Sequence, residues 1–290
     1  MPTFTEIVTL KTLLITGINS GIGLHISLYL SQKGYMVLGT VRRNSQVPDI
    51  LLRNPNIQIF ELCLDNDEQL ERGFQHIRKM IPPDGLYAFI NNAGMVVAGP
   101  ATEISLPDYR YQFQINLFAG IHLIQLCLPY LIRYGAGARV IHISSVSGLF
   151  GSPFLGAYVA SKYAGEGFFD SLRRELSLIG LRTVKIVAGS INTPIWEKQL
   201  GLLDKFETGN YWPYLQVANS SILKMKSESM PLETINKPIL KALEHTCPRP
   251  SYLVYKKKWM FLLLTKILPV TFVDRMIRNR LKMKTPEIRT

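Results

Sequence analysis

One stretch constrains the fold of this chain more than any other. Residues 12–16 form a short apolar run that leads straight into Thr16-Gly17-Ile18-Asn19-Ser20-Gly21-Ile22-Gly23, and a helical pattern begins at Leu24. A strand that turns this abruptly into a helix brings its carboxyl end to a helix N-terminus, where the backbone amides and the helix dipole favour an anion. Glycines permit the tight turn and let those amides approach a pyrophosphate closely. Gly17, Asn19, Ser20, Gly21, Ile22 and Gly23 are therefore expected to hold the phosphates of a dinucleotide.

The rest of the chain repeats the strand-then-helix rhythm. Short runs rich in Val, Ile and Leu at 12–16, 36–40, 57–62, 86–90, 139–144, 183–187 and 252–255 alternate with helix-length amphipathic stretches at 21–33, 67–80, 106–134 and 157–179. Such alternation specifies an α/β fold with a doubly wound parallel sheet, here of about seven strands in a single domain. Residues 193–230 break the rhythm with aromatic, Pro-containing sequence and read as a helical insertion beside the sheet, suited to a substrate lid. The expected division is a dinucleotide-binding domain over 1–255 that includes this insertion, followed by a basic amphipathic tail over 256–290.

Charge narrows the function classes. The formal net charge is +12, but residues 251–290 carry ten basic and two acidic side chains and leave only net +4 for the first 250 residues. A uniformly basic nucleic-acid surface is thus not expected. The three cysteines, Cys63, Cys127 and Cys247, are odd in number and widely spaced, which suggests neither a disulfide framework nor a metal cluster and favours a reducing, intracellular compartment. The N-terminal residues have no basic n-region and only a short apolar run, so no signal peptide or N-terminal membrane span is expected.

Further motifs stand at the ends of the later strands. They are Asn91-Asn92-Ala93-Gly94, Asn116 within a helical stretch, Ser144-Ser145, and Tyr158-Val159-Ala160-Ser161-Lys162 opening the next helix. In order and approximate spacing, together with the three-then-one glycine turn, they resemble the classical short-chain dehydrogenase/reductase family over at least residues 12–195. The whole chain looks similar to its hydroxysteroid and retinol dehydrogenase-like branch. The resemblance implies a Rossmann-type fold and hydride exchange between a nicotinamide cofactor and an alcohol or carbonyl.

Each candidate residue has a chemical reason to be where it is. Tyr158 and Lys162 lie one helical turn apart, so the ammonium is expected to lower a phenol pKa that is about 10 when unperturbed. The resemblance implies Ser145, thirteen residues before Tyr158, as the group that bonds the substrate oxygen, with Ser144 as the structural alternative. It also implies that Asn116 supports a proton relay through Lys162. For the cofactor it implies contacts from Asp65 to adenine, from Asn91 to ribose, from Ala93 and Gly94, from Tyr158 and Lys162, and from Thr193 to the nicotinamide amide. Asp65 reads equally as an N-cap of the following helix. Ala188 replaces the Pro usual before the family's Gly at this point, while Gly189 and Thr193 keep the spacing.

The second strand runs out into Thr40-Val41-Arg42-Arg43, with two guanidiniums where a free 2′-hydroxyl would require a carboxylate. Arg42 and Arg43 therefore point to a 2′-phosphate and NADP(H), with NAD(H) the alternative. The aromatics Phe150, Phe154, Phe206, Tyr211, Trp212 and Tyr214 suit a hydrophobic steroid, retinoid or lipid-like substrate. The tail suits peripheral contact with an anionic membrane, such as the cytoplasmic face of the endoplasmic reticulum; a pocket cap or a subunit contact is the plainer reading. The resemblance also implies a homo-oligomer. A catalytically silent, NADP(H)-sensing binding protein is the rival reading, and no metal site is expected.

Overall fold

The computed structural model describes residues 10–195 and 203–281. Seven strands, β1 (Thr12–Thr16), β2 (Met36–Val41), β3 (Ile57–Glu61), β4 (Ala88–Asn91), β5 (Arg139–Ser145), β6 (Arg182–Ala188) and β7 (Ser251–Val254), form one parallel sheet in the order β3-β2-β1-β4-β5-β6-β7. The order reverses between β1 and β4, and an open α/β sheet takes its ligand outside the carboxyl ends of the strands at such a switch point. All seven expected strands are present, with ends displaced by at most two residues.

Strand alternation sends neighbouring side chains to opposite faces, and each face meets helices. Leu13 and Ile15 of β1 pack with Ile26 and Leu30 of α1 (Gly21–Gln32) and with Ile239 and Leu243 of α8 (Asn236–Glu244). Leu14, Phe89 and Val140 face the other way. They meet Leu70 and Phe74 of α3 (Asp67–Arg78), Leu123 and Leu131 of α5 (Ala119–Tyr134), and Phe169 and Leu172 of α6 (Gly156–Leu178). Between α1 and α3 a single short turn, α2 (Asp49–Leu52), precedes β3.

Two departures from the expected elements bear on function. The stretch expected as one helix is α4 (Leu106–Phe113), a π-helical turn over Gln114–Phe118, and α5. Asn116 sits in the π turn, whose extra residue rotates it into the interior, where it is buried. The same span is apolar enough to cross a membrane by mean hydropathy, 1.7 over its best window. Its α5 residues Leu123, Ile124, Cys127 and Leu131 are nonetheless committed to the sheet, which makes it a core helix.

The second departure is at the carboxyl end. The insertion contains α7 (Trp212–Ser227), and the tail forms α9 (Lys258–Lys266) and α10 (Val270–Arg280), anchored by buried Phe261, Val273 and Leu281. An open cleft of 590 Å³ separates α7 from the tail and is lined by Ser221, Lys224, Lys257 and Arg280 among others. Residues 196–202 of the insertion and the last nine residues lie outside the described residues, as do the first nine, on which the leader expectation falls.

The ends of β1 and β4 are tied by one hydroxyl. Thr16 is fully buried, and its Oγ1 accepts hydrogen bonds from the backbone N–H groups of Asn92 (3.0 Å) and Ala93 (2.9 Å). Thr16→Val keeps the shape and leaves both donors without their acceptor. It is expected to lower unfolding free energy by about 2 to 4 kcal/mol in urea denaturation, and an unchanged midpoint would contradict this accounting.

Candidate active site at the carboxyl edge of the sheet

The glycine turn is built by conformation and by close approach. Gly17 (φ +71°) and Gly21 (φ +56°) occupy the left-handed region. The N–H groups of Gly17 and Ile18 donate to the Thr40 carbonyl at 2.9 and 3.0 Å, which pulls the turn against β2. At Gly23 a Cβ would lie 2.0 Å from the Gly17 carbonyl oxygen and 2.5 Å from Asn92 Nδ2, so only glycine fits. Ser20 is the N-cap of α1, yet its side chain caps nothing and the first turn holds no acid. The first amides of α1 are thereby left to an outside acceptor, an arrangement that fits a pyrophosphate.

Asn92 is the residue that sequence reasoning passed over. Its Nδ2 donates to the carbonyls of Thr16 (2.7 Å) and Gly17 (3.1 Å), so the side chain after β4 braces the turn after β1. Asn91 behaves differently. It is buried, with Nδ2 3.3 Å from His142 Nδ1 and packed against Gly120 of α5, so its side chain faces the interior and any ribose contact is left to its backbone. Gly94 is exposed beside Asn116 Oδ1 and Lys162 Nζ. Thr193 comes over the turn from beyond β6, its Cβ and Cγ2 3.4 Å from where a Cβ on Gly21 would stand.

Arg42 and Arg43 are both exposed at the carboxyl end of β2, beside Asn44 in the left-handed region (φ +56°). No salt bridge to a described residue engages either guanidinium. Asp65 is exposed after β3 and takes a hydrogen bond from Cys63. The capping reading of Asp65 is corrected: Asn66 caps α3, accepting from the Gln69 N–H at 2.9 Å, because α3 begins one residue later than that reading needs.

Four candidate residues converge between β5, α6 and the π turn. Tyr158 and Lys162 share one face of α6, with Nζ 5.9 Å from the phenol ring centroid. Ser145 ends β5, hydrogen-bonds Tyr158, and accepts from the Ser147 N–H at 3.1 Å. Ser144 points elsewhere and donates to Glu166, which resolves which of the two serines faces Tyr158. Asn116 is held at three points: Nδ2 donates to the Met95 carbonyl (3.0 Å) and Ser161 Oγ (3.1 Å), and Oδ1 accepts from the Met95 N–H (2.8 Å). Lys162 Nζ donates to the Ile143 carbonyl at 3.4 Å.

Burial governs the protonation of this group. It pushes the Tyr158 phenol up, opposed by the hydrogen bond from Ser145, and it pushes the Lys162 ammonium down to about 8, opposed by the Glu166 carboxylate. The expectation that Lys162 lowers Tyr158 is not met in this arrangement. Desolvation is the larger influence on the phenol and favours its neutral form.

One side of Tyr158 is apolar. Val96, Val97, Ala98 and Ile104 from the loop after β4 form a cluster with Ala157 of α6 and with Leu203, Phe206, Leu215 and Ile222 of the insertion, and Tyr158, Phe154 and Trp212 pack against it. Phe154 has φ +64°, a conformation costly for a non-glycine residue; its carbonyl accepts from the Gly99 N–H at 2.8 Å. Phe206 is buried against Gly99, where a Cβ would lie 2.3 Å from its ring, so this aromatic belongs to the wall's interior. Gln112 of α4 holds the loop through Val97 N–H (2.6 Å) and the Met95 carbonyl (2.9 Å).

A glycine turn at a sheet switch point, beside a Ser, Tyr and Lys cluster, defines a nicotinamide-dinucleotide oxidoreductase acting on CH–OH or C=O groups. A family model described as short chain dehydrogenase matches residues 11–200, and the chain belongs to that family. It is 30% identical to the NADPH-dependent 3-dehydrocapnine reductase of Ornithobacterium rhinotracheale, over 94% of this chain and 98% of that protein. It is 27% identical to human dehydrogenase/reductase SDR family member 9, over 97% of this chain and 92% of that one. The crystal structure of a short-chain dehydrogenase/reductase from Burkholderia phymatum in complex with NAD superposes with a TM-score of 0.73 at 16% identity, covering 97% and 98% of the two chains. Binding of NAD(P)(H) follows from family, fold and turn together.

The turn makes a direct prediction. Gly23→Ala forces its methyl into the Gly17 carbonyl and the Asn92 amide, and is expected to weaken NADPH binding at least tenfold by fluorescence titration, with a melting temperature that also falls. Wild-type affinity in a folded Gly23→Ala variant would contradict the close-approach argument.

Proposed function

We propose that the protein is an NADP(H)-dependent oxidoreductase that interconverts a ketone or aldehyde with an alcohol on a hydrophobic substrate. The observation that carries this reading is the position of Tyr158, whose phenol stands beside Ser145 and Lys162 and against the apolar wall of Val96, Leu215 and Ile222. An apolar wall at the reacting group selects an alkyl, steroid, retinoid or lipid-like carbonyl over a sugar or phosphate ester. Arg42 and Arg43, exposed and without carboxylate partners among the described residues, support a 2′-phosphate and hence NADP(H) over NAD(H).

When bound, the nicotinamide supplies or accepts the hydride. Ser145 Oγ holds the substrate oxygen, and Tyr158 delivers a proton to that oxygen in reduction or removes it in oxidation. Lys162 supports the phenolate formed when that proton leaves and binds the cofactor ribose. Asn116, fixed on Met95 and Ser161, positions the relay that returns the proton from solvent. Gly17, Asn19, Ser20, Gly21, Ile22 and Gly23 hold the pyrophosphate, with Asp65, Ala93 and Gly94 bordering the adenosine and Thr193 the nicotinamide end.

A carbonyl panel assayed with NADPH and NADH in parallel tests substrate class and cofactor together. Wild type is expected to reduce apolar ketones or aldehydes faster with NADPH, and Tyr158→Phe to lose at least 10²-fold in kcat while binding NADPH normally. Full turnover by Tyr158→Phe would sink the assignment, and no turnover of any carbonyl by wild type would favour the silent, cofactor-sensing reading.

The tail extends the proposal to an intracellular protein seated peripherally on an anionic membrane face, and the oligomer remains a homo-oligomer by family likeness. What supports membrane contact is the outward stripe of Trp259, Leu262 and Lys266 on α9 and of Phe272, Arg275 and Met276 on α10, with Ile267 and Val270 exposed at the corner between them. Apolar side chains flanked by cations suit the interface of an anionic bilayer. Wild type is expected to sediment with phosphatidylserine vesicles, and Trp259→Glu/Phe272→Glu to stay in the supernatant with unchanged turnover of a water-soluble carbonyl. Equal sedimentation of the two would end the membrane reading.

A further inference from the structure

Behind the Tyr158 and Lys162 pair lies a second set of charges that the reaction scheme does not use. Glu166 follows Lys162 by one turn of α6 and is 8% exposed. Its Oε2 is 2.7 Å from Nζ of Lys185 on β6, and its Oε1 accepts a hydrogen bond from Ser144 on β5. Lys185, 6% exposed, also lies 2.9 Å from Asp170 Oδ1 one turn further along α6 and donates to the Glu166 carbonyl at 3.4 Å. The loop after Ser145 is packed down onto this carboxylate, since a Cβ on Gly148 would lie 2.8 Å from Glu166 Cγ.

Stability does not explain such a pair. The desolvation of two buried charges commonly offsets their attraction, and an apolar pair of the same volume serves a core as well or better. Position does explain it. Glu166 touches the neighbour of Ser145 and stands one turn from Lys162, so it reaches both sides of the reacting group. We propose that Glu166 is a positioning residue whose carboxylate, seated by Lys185 and Ser144, is the counter-charge for the buried Lys162 ammonium and anchors the strand end that carries Ser145.

The remaining groups around the pair are accounted for. Burial alone depresses Lys162, and Glu166 is the charge that opposes the depression. Lys185 is engaged by Glu166 and Asp170, and Asp170 has Arg173 at 3.9 Å on its solvent side. His142, stacked on Phe169 with ring centroids 4.0 Å apart, is held well below its ordinary pKa by burial and by both lysines, and stays neutral. Tyr158 is kept as the neutral phenol by burial. Glu166 is therefore the one anion among the described residues facing Lys162.

Glu166→Gln removes the charge and keeps the acceptor for Ser144. Without the anion, Lys162 loses its proton at lower pH, so NADPH affinity, followed by fluorescence titration from neutral to alkaline pH, is expected to fall away about one pH unit earlier than in wild type. The alkaline limb of kcat/KM for carbonyl reduction is expected to move the same way. Because the variant leaves Lys185 buried without its closest anion, which is costly to the fold, Glu166→Gln/Lys185→Gln provides the second arm; it is expected to show the same displacement, since Lys185 is not among the charges that shift Lys162. A folded variant of either kind whose binding and rate profiles keep the wild-type pH dependence, with only the melting temperature lowered, would overturn the proposal. A failure of the dinucleotide reading would show already in wild type, whereas a failure of this inference shows only in the comparison.

Discussion

The contact on which the rest of the site depends is the clasp between the ends of β1 and β4. Parallel strands with reversing crossovers leave a crevice at their carboxyl ends, and nothing in the sheet ladder itself holds that crevice to a shape. Here Thr16 receives two backbone N–H groups from the loop after β4, and Asn92 returns two hydrogen bonds to the backbone of the glycine turn. The turn, the start of α1 and the loop carrying Gly94 are therefore one rigid unit. Gly17 and Gly23 are required for that closeness as much as for the cofactor, because a side chain on Gly23 would meet the carbonyl of Gly17 before it met any ligand.

On the other side of the crevice the governing constraint is desolvation. Lys162 is buried and Tyr158 half-buried beside it, and desolvation pushes both towards their neutral forms. A neutral phenol suits proton donation, but a neutral amine would support neither phenolate nor ribose. The fold opposes the second tendency with the charge of Glu166 and the first only with a hydrogen bond from Ser145. That asymmetry gives a physical meaning to Glu166, Lys185 and Ser144, which otherwise amount to an expensive way of filling a core.

Much of this was legible in residue order. Alternation of apolar runs with helical stretches located every strand, because a fully buried parallel strand reads as a continuous Val, Ile and Leu run. The family resemblance pointed to Ser145 over Ser144, and in the structure the Ser144 hydroxyl is taken by Glu166. What was not legible depended on contacts far apart in sequence. Asn92 acquires its role only when β4 lies beside β1, Glu166 only when β6 brings Lys185 beneath α6, and the inward turn of Asn91 only when Gly120 and His142 arrive around it. The π turn escaped notice because its composition continues that of the helices on either side; one inserted residue changes which way Asn116 faces without changing the apolar pattern.

The proposed substrate side has a different construction from the cofactor side, and the difference follows from what each would have to recognise. On the proposed reading phosphates meet backbone amides whose positions are set by the sheet, and that half of the crevice is built from the ends of β1 and β4. An apolar wall needs only area, and the chain supplies it from the loop after β4 and from the insertion, with Leu215 and Ile222 of α7 facing Tyr158's cluster. The opposite stripe of α7, including Val217, Ser221 and Lys224, borders the cleft shared with Lys257 and Arg280 of the tail. One helix thus borders both the apolar wall beside Tyr158 and the cleft that faces the basic tail.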